Sequence, residues 1–285
     1  MSEGRNSLLM ALWVLVALSW WSVPSVFAAA AASAAPSDDL SLQKPADSSS
    51  SEWSREYDPD KLYVTTRLGV WGMSLSGDTG VKGLSTSVNA SFEDLIQNTN
   101  FAAFPSFELS KGNWVLALNG LYANLSDEER FTGPLGERRG VDVSSNMGVV
   151  DVGIGYTIVR GTTTTGAPFT LTPAIGGRWT YLDLEIDPLI ASSRSQSRNW
   201  FDPYIGLVGV VGITRNLDWR NAGTIGGFGV GSQLTWTAET MLEWHFSQHV
   251  GLDVGYRVLS WDYDLSGFKW DMTLQGPWIG LSFNY

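Results

Sequence analysis

The feature that most constrains the fold of this chain is an alternation of apolar and polar side chains that recurs along most of its length. In residues 234–246, Trp236 and Leu242 fall on one face of the run, whereas Glu239 and Glu243 fall on the other. Successive side chains of a β-strand point to opposite faces, so such a run predicts a strand with one apolar and one charged face. We therefore expect an all-β protein.

Ten such runs can be placed along the chain, with turn or loop signals between them. They cover residues 62–74, 100–110, 113–125, 143–159, 168–186, 200–213, 217–230, 234–247, 250–264 and 270–285. An even number suits a closed antiparallel barrel, in which the last strand pairs with the first. We predict a closed antiparallel β-barrel of about 10 strands, within a range of roughly 8–12.

The connections between these runs differ in length. Tight turns are expected at residues 111–112, 215–216 and 247–249, and longer loops at 75–99, 126–142 and 187–199. In the first long loop, Ser91 is followed three residues later by Asp94. This spacing is typical of a helix N-terminus, so a short helix is expected within residues 91–98.

The N-terminal region has a different composition. Residues 1–28 combine Arg5, an apolar stretch that begins at Leu8, and small residues at the end. This is the pattern of a secretory signal peptide, and it is too short to span a membrane. Residues 29–60 are rich in Ala, Ser and Asp and predict a disordered periplasmic leader. Residues 61–285 remain for the barrel, as a single domain.

Alternation alone does not say which face of the barrel is apolar. A soluble barrel turns its apolar face inward, whereas a membrane barrel turns it toward lipid. The signal peptide, and runs longer than the ~5–6 residues of a typical soluble strand, favour the membrane barrel. We predict a transmembrane β-barrel with short periplasmic turns and longer extracellular loops. The chain has no cysteine, so its stability is expected to come from strand pairing and burial instead of disulfides.

Charged residues on the polar faces are expected to point into the lumen. A lipid-facing Arg near the bilayer centre costs roughly 2–4 kcal/mol. The predicted lumen charge network consists of Arg67, Glu108, Asp151, Arg178, Asp202, Glu239, Glu243, Asp253 and Arg257. Because a buried charge is costly when it is unpaired, we expect these arginines to pair with the carboxylates.

Tryptophan is abundant and lies mostly near the ends of the predicted strands. Amphipathic rings favour the headgroup level of a bilayer, which predicts an aromatic girdle at each end of the membrane-spanning part. The predicted girdle residues are Trp114, Trp179, Trp219, Trp236, Trp244 and Trp261, and Trp200 and Trp270 are also expected to lie toward the loops.

The last strand has a distinctive pattern of its own. Ile279, Leu281, Phe283 and Tyr285 share one face, and the sequence ends at Tyr285. An alternating final strand with an aromatic last residue resembles the C-terminal sorting signal of Gram-negative outer-membrane β-barrels. The more usual last residue of that signal is Phe.

Four further stretches carry a resemblance to a known family. Residues 92–98, 200–203, 226–236 and 275–285 resemble small Gram-negative outer-membrane β-barrel proteins of the OmpA-like and opacity-type porin superfamily. The resemblance implies a place in the outer membrane, with lipid and lipopolysaccharide around the barrel and the barrel-assembly machinery as a partner during biogenesis. It supplies no reaction to transfer to this chain.

Composition and motifs argue against several functions. The net charge of −11 argues against nucleic-acid binding. Gly226–Gly231 lacks the Lys and Ser/Thr of a phosphate-binding loop. The two histidines, His245 and His249, flank a predicted periplasmic turn, away from the extracellular rim where outer-membrane proteases act. We expect no catalytic residues, no metal site and no cofactor.

Two functions stay open on the sequence alone. A filled lumen implies a structural or surface-interaction protein, whereas a water-filled lumen implies a narrow channel for ions or small solutes. Carboxylates outnumber arginines in the predicted lumen, so such a channel is expected to prefer cations. Barrels of ~8 strands are just filled by side chains and those of ~16–18 strands hold a channel, which favours the filled lumen. An outer-membrane enzyme is a remote alternative.

Overall fold

The computed structural model describes residues 57–81, 84–91, 93–94, 99–132, 138–163, 166–188 and 194–285. The predicted signal peptide at 1–28 lies outside the described residues, as does the predicted leader up to residue 56. Most of the described chain is folded into β-strands joined by turns. Among these residues, no helix is long and apolar enough to cross a membrane.

The strands form one continuous antiparallel sheet. They are β1 (Leu62–Trp71), β2 (Ser74–Val81), β3 (Leu84–Ala90), β4 (Thr99–Ala103), β5 (Ser106–Lys111), β6 (Trp114–Thr132), β7 (Arg138–Tyr156), β8 (Val159–Thr162), β9 (Pro168–Pro188), β10 (Arg194–Thr214), β11 (Leu217–Gly227), β12 (Leu234–His245), β13 (Val250–Leu265) and β14 (Phe268–Asn284).

Several of these strands are consecutive pieces of one barrel strand. β14 pairs with β1 along one part of its length and with β2 along the other, so β1 and β2 together form the first barrel strand. β3, β4 and β5 together form the second, between the first and β6. β8 continues β7 along β9. Within the described chain, the sheet therefore has ten barrel strands, as predicted.

The barrel closes between its first and last strands. Thr65 is opposite Asn284, and Trp71 is opposite Trp278. Beyond the last ladder pair, the amide of Tyr285 donates to the carbonyl of Val64 at 2.9 Å, and the amide of Val64 donates back at 3.0 Å. Along this ladder, the backbone amide and carbonyl groups of β1 and β14 pair with each other, so the sheet has no open edge there. The predicted fold, a closed antiparallel barrel, is confirmed.

The two ends of the barrel differ. The end that carries Tyr57–Lys61 and Tyr285, here called the near end, has tight turns at residues 112–113, 215–216 and 246–249. The opposite, far end includes the hairpin turn between β13 and β14. In that turn Ser266 and Gly267 both have positive φ, of 54° and 75°, as a two-residue turn between twisted strands requires.

The long loops predicted at 75–99, 126–142 and 187–199 are mostly strand, so that prediction was wrong. β2 and β3 occupy much of the first segment, β6 and β7 extend far into the second, and β9 and β10 into the third. Ladder hydrogen bonds use the backbone alone, so these polar segments continue the barrel without an apolar outer face. The strands are consequently longer than the runs of alternating apolar and polar residues predicted.

The predicted helix cap at Ser91 is present. The amide of Asp94 donates to the Ser91 hydroxyl at 3.2 Å, and the amide of Ser91 donates to the Asp94 carboxylate at 2.8 Å. The hydroxyl hydrogen bond from Ser91 lowers the pKa of Asp94. Residues 93 and 94 are helical, and residues 92 and 95–98 of the predicted helix lie outside the described residues.

The last residues of the predicted leader are ordered, so the prediction of disorder was wrong for 57–60. The Tyr57 hydroxyl donates to the carbonyl of Gly112, and its ring stacks on Tyr63 with the centroids 5.4 Å apart. The guanidinium of Arg160 lies 3.7 Å from the centre of the Tyr57 ring. These contacts hold the entering chain against the near end.

Close backbone packing at the junction of β1 and β2 generates a test of the fold. A Cβ atom at Gly276 would overlap with the carbonyl oxygen of Gly72, whereas one at Gly148 would lie 3.9 Å from the nearest heavy atom, on Tyr181. We expect Gly276→Ala to lower the free energy of unfolding by about 1–3 kcal/mol, a typical cost of overpacking. Gly148→Ala is the matched control. Urea unfolding in micelles measures both, and equal midpoints would contradict this packing.

Candidate functional site

The outer surface of the barrel is apolar toward the near end. On β13, Val254 and Tyr256 point outward and are 46% and 44% exposed, while Asp253 and Arg257 point into the lumen. The same exposure recurs around the barrel. Exposed apolar side chains include Leu68, Val70, Phe107, Leu116, Leu118, Val150, Val152, Ile154, Ile175, Ile205, Leu207, Leu242, Ile279 and Leu281. This part of the barrel, here called the near half, has an apolar exterior and a charged interior.

Toward the far end the two faces exchange character. Farther along β13, Leu259 and Trp261 have the inward parity of Asp253 and are each 1% exposed. Asp262 and Asp264 have the outward parity. On β13 this part, here called the far half, therefore combines an apolar interior with a polar exterior, whereas Phe201, Phe228 and Val230 are exposed elsewhere toward the same end.

The apolar interior of the far half is contributed by most of the barrel strands. It belongs to a buried apolar cluster of Trp71, Met73, Leu75, Phe104, Leu121, Ala123, Met147, Val149, Leu182, Trp200, Met241, Leu259, Trp261, Tyr263, Phe268, Trp270, Met272, Leu274 and Trp278. Met241 and Trp278 lie opposite Gly255, between the inward Asp253 and Arg257, so the cluster also reaches into the near half. Phe104 packs edge-on against both Trp71 and Trp278, at centroid distances of 5.9 and 6.1 Å. Since members come from opposite sides of the barrel, this apolar core crosses the lumen.

The predicted aromatic girdle is partly wrong. Trp261, placed in the girdle from the sequence, is buried in the apolar core, as are Trp200 and Trp270. The reason is the exchange of faces, because a tryptophan in the far half is buried by pointing inward. The other predicted girdle residues, Trp114, Trp179, Trp219, Trp236 and Trp244, lie on the outward face, and their place at the headgroup level stays a prediction.

Arg67 is the centre of the main charge cluster in the lumen. Its Nη2 lies 3.0 Å from Oε1 of Glu243, and its Nη1 lies 3.4 Å from Oε2 of Glu108. Its Nε lies 3.5 Å from Oδ2 of Asp253. These four residues belong to four different strands, so the barrel register brings them together at one height.

Two further arginines extend this cluster. Arg220 lies 3.2 Å from the same oxygen of Glu108, and Arg257 lies 3.8 Å from Glu239. Arg257 and Glu239 were among the predicted lumen charges, whereas Arg220 was not. The alternation does predict an inward Arg220, because Arg220 directly follows Trp219, which points outward.

Arg178 forms a second group. Its Nε and Nη2 bind the two oxygens of Asp151 at 2.7 and 3.1 Å, and its Nη1 donates to the Thr235 hydroxyl at 2.7 Å. Arg178 is fully buried. This bidentate pair matches the planar fork of a guanidinium to a carboxylate, the strongest geometry available to an ion pair.

Asp202 lies directly across the ladder from Arg178 but serves a different structure. Its carboxylate accepts hydrogen bonds from the Ser232 amide at 2.6 Å, the Ser232 hydroxyl at 2.9 Å and the Trp200 indole at 3.0 Å. Asp202 therefore holds the turn between β11 and β12 against the barrel wall. Asp202 was predicted in the lumen charge network, and nothing in the sequence pattern indicates its contact with Ser232.

A third group lies close to the near end. Nε2 of His245 is 3.0 Å from Oδ2 of Asp218, and Asp218 is directly across the ladder from Glu243. His245 has the same inward parity as Glu243, and Asp218 was not among the predicted lumen charges. Ligand atoms of these three residues all lie within 4.8 Å of one another.

The lumen of the near half contains a cavity of about 260 Å³. Arg67, Glu108 and Asp151 contribute charged atoms to its wall, and Tyr57 lines it as well. Phe104 and Trp278 of the apolar core are also among the lining residues. The cavity is therefore bounded on the far side by the apolar core.

The residues of the predicted C-terminal sorting signal complete the outer wall. Ile279 and Leu281 point outward and are exposed, Phe283 has the same parity, and Tyr285 lies at the near end. The pairing of β14 with β1 accounts for their structural role. Their role as a sorting signal stays a prediction.

No protein-family model and no curated protein matches the chain. The fold is similar to solved structures of outer-membrane proteins. Neisserial surface protein A matches with a TM-score of 0.33 and 11% identity over 78% of this chain and 96% of that one. Ail, the attachment invasion locus protein of Yersinia pestis, matches with 0.36 and 10% over 79% and 99%. The translocator domain of the autotransporter NalP from Neisseria meningitidis matches with 0.39 and 12% over 78% and 88%.

The buried pair of Arg178 and Asp151 generates a stability test. Arg178→Met leaves the Asp151 carboxylate buried without its partner, which is expected to cost about 3–5 kcal/mol. Adding Asp151→Leu removes the stranded charge and is expected to restore much of the loss. The control is Lys269→Met at the exposed pair with Asp78, whose atoms are 3.4 Å apart, where the expected loss is much smaller because water screens the pair. If urea unfolding shows equal losses at the two sites, the buried pair is not the stronger one.

Proposed function

We propose that the protein is an integral barrel of the Gram-negative outer membrane whose lumen is closed to solutes, and that it has a structural or surface-interaction role. The observation that carries this proposal is the exchange of faces along the strands. An apolar exterior suits lipid, and a polar exterior over an apolar interior suits water. One barrel therefore has a membrane-spanning near half and a water-exposed far half.

The height of the apolar exterior supports this division. On β13 the outward residues are apolar from Val250 to Val258, a stretch of nine residues. At ~3.3 Å per residue and a strand tilt of ~40°, this stretch spans about 23 Å along the barrel axis. Outer-membrane barrels present an apolar band of about 25 Å. The remaining part of β13, Leu259–Leu265, then lies beyond the bilayer.

The apolar core supports a closed lumen. Any solute passing along the axis would have to cross the edge-packed rings of Trp71, Phe104 and Trp278 and then the core beyond them. Water and ions avoid such an interior, since no polar group replaces their hydration. The charges of the near half are also joined in ion pairs. The side chains in the lumen therefore serve to fill and stabilise the barrel. The alternative of a cation-preferring channel is the weaker proposal.

The orientation follows from the same arrangement. The near end receives the chain from the predicted periplasmic leader, so it faces the periplasm. The far half then stands outside the cell, in contact with lipopolysaccharide where it leaves the bilayer. It presents a rigid polar surface that includes Asp262, Asp264 and Lys269. In this proposal the barrel-assembly machinery recognises β14 during biogenesis, and no enzymatic activity is assigned.

Single-channel recording in a planar bilayer tests the closed lumen. We expect no conductance steps from protein shown to be folded by its heat-sensitive migration on a gel. A general porin inserted in the same bilayers provides the positive control. Stable cation-selective steps that diminish in Glu239→Gln or Glu243→Gln would instead establish the channel and overturn the closed lumen.

A further inference from the structure

Asp218, Glu243 and His245 form a cluster close to the near end of the lumen, and all three side chains are of types that bind metal ions. We propose that these three residues bind a divalent transition-metal ion such as Zn²⁺. The sequence predicts no metal site: Glu243 and His245 share one face of their strand there, but Asp218 joins them only through the pairing of β11 with β12.

The geometry supplies three ligands from adjacent strands. Asp218 on β11 is directly opposite Glu243 on β12, and His245 follows Glu243 by two residues on the same inward face. Nε2 of His245 lies 3.0 Å from Oδ2 of Asp218, and the ligand atoms of all three lie within 4.8 Å of one another. Asp218 and Glu243 are buried. An ion placed among these atoms reaches every one of them after small side-chain movements.

The local charge supports a cation. Around Arg67, five carboxylates (Glu108, Asp218, Glu239, Glu243 and Asp253) surround three guanidinium groups (Arg67, Arg220 and Arg257). Carboxylates outnumber guanidinium groups among these residues. Buried carboxylates are costly unless they are paired. A divalent ion at Asp218 and Glu243 would add positive charge among them.

Asp253 gives an independent indication of the same excess. It is fully buried, it faces Glu243 across the ladder, and its Oδ1 accepts a hydrogen bond from Ser282 at 3.1 Å. Its Oδ2 accepts no hydrogen bond within the described part of the chain and lies 3.5 Å from Nε of Arg67. Arg67 is therefore shared among three carboxylates. Because it binds Oε1 of Glu243, the other oxygen of that carboxylate is the one assigned to the metal.

The donor set selects the type of ion. Ca²⁺ and Mg²⁺ prefer sites made of oxygen atoms alone, whereas imidazole suits zinc and its neighbours among the transition metals. One imidazole and two carboxylates make three protein ligands, to which water adds the fourth of a tetrahedral site. The ion would join β11 to β12 close to the periplasmic end of the barrel. Its expected role is to stabilise this end of the lumen.

Isothermal titration of ZnSO₄ into the purified protein tests the site, with protein that lacks a histidine tag and has been treated with a chelator. We expect one saturable site in the wild type. His245→Gln is expected to weaken binding at least tenfold, and Asp218→Asn to weaken it as well. His249→Gln is the matched control, because His249 lies exposed in the adjacent turn, and it is expected to bind as the wild type does.

Two results would overturn the site: no saturable binding by the wild type, or equal affinity in the wild type and folded His245→Gln. If His245→Gln fails to fold, X-ray absorption at the zinc edge of the loaded wild type decides. Outer-shell scattering typical of one imidazole is expected, and a spectrum without it contradicts the proposal. Both readouts are independent of the conductance of the barrel.

Discussion

The closing ladder between β1 and β14 is the interaction on which the rest of the structure depends. A sheet with open edges exposes unpaired amide and carbonyl groups, and these groups cannot be left in lipid. The paired ends at Val64 and Tyr285 remove that exposure at the near end. Closure also creates the lumen, and with it the need to fill or hydrate the interior. The charge clusters and the apolar core are two solutions to this need at two heights of one barrel.

The two solutions differ because their surroundings differ. In the near half, the apolar side chains point outward and the charged side chains point into the lumen. These buried charges must be paired, as Arg178 is with Asp151. In the far half, water covers the outside, and apolar burial can act inward as it does in soluble proteins. The change occurs on β13 between Val258 and Leu259. A filled barrel with a protruding far half is the consequence.

Much of this fold could be predicted from the sequence, because alternation reports strand faces directly. Ten runs correspond to ten barrel strands, and Asp253 and Arg257 share one face of β13 in the alternation and in the structure. The same parity also puts Trp261 in the lumen, and the outward Asp262 and Asp264 mark the exchange of faces. The girdle prediction for Trp261 was wrong because it used the position near a strand end. The inward parity of Trp261 buries it in the apolar core instead.

The contacts across the lumen could not be predicted in this way. Arg67 and Glu243 are 176 residues apart. Their contact depends on how far each strand is shifted along its neighbour around the whole barrel. The alternation of apolar and polar residues does not reveal these shifts. For the same reason, the role of Asp202 at the far turn and the grouping of Asp218 with His245 became visible only in three dimensions.

The exchange of faces along β13 is tested most directly by spin labels in lipid vesicles. The chain has no cysteine, so single cysteines can be labelled at the outward positions Leu252, Val254, Tyr256, Val258, Asp262 and Asp264. The account predicts that the first four labels are accessible to oxygen dissolved in lipid, and that the last two are accessible to a water-soluble nickel complex. Lipid accessibility that continues through Asp264 would contradict a water-exposed far half.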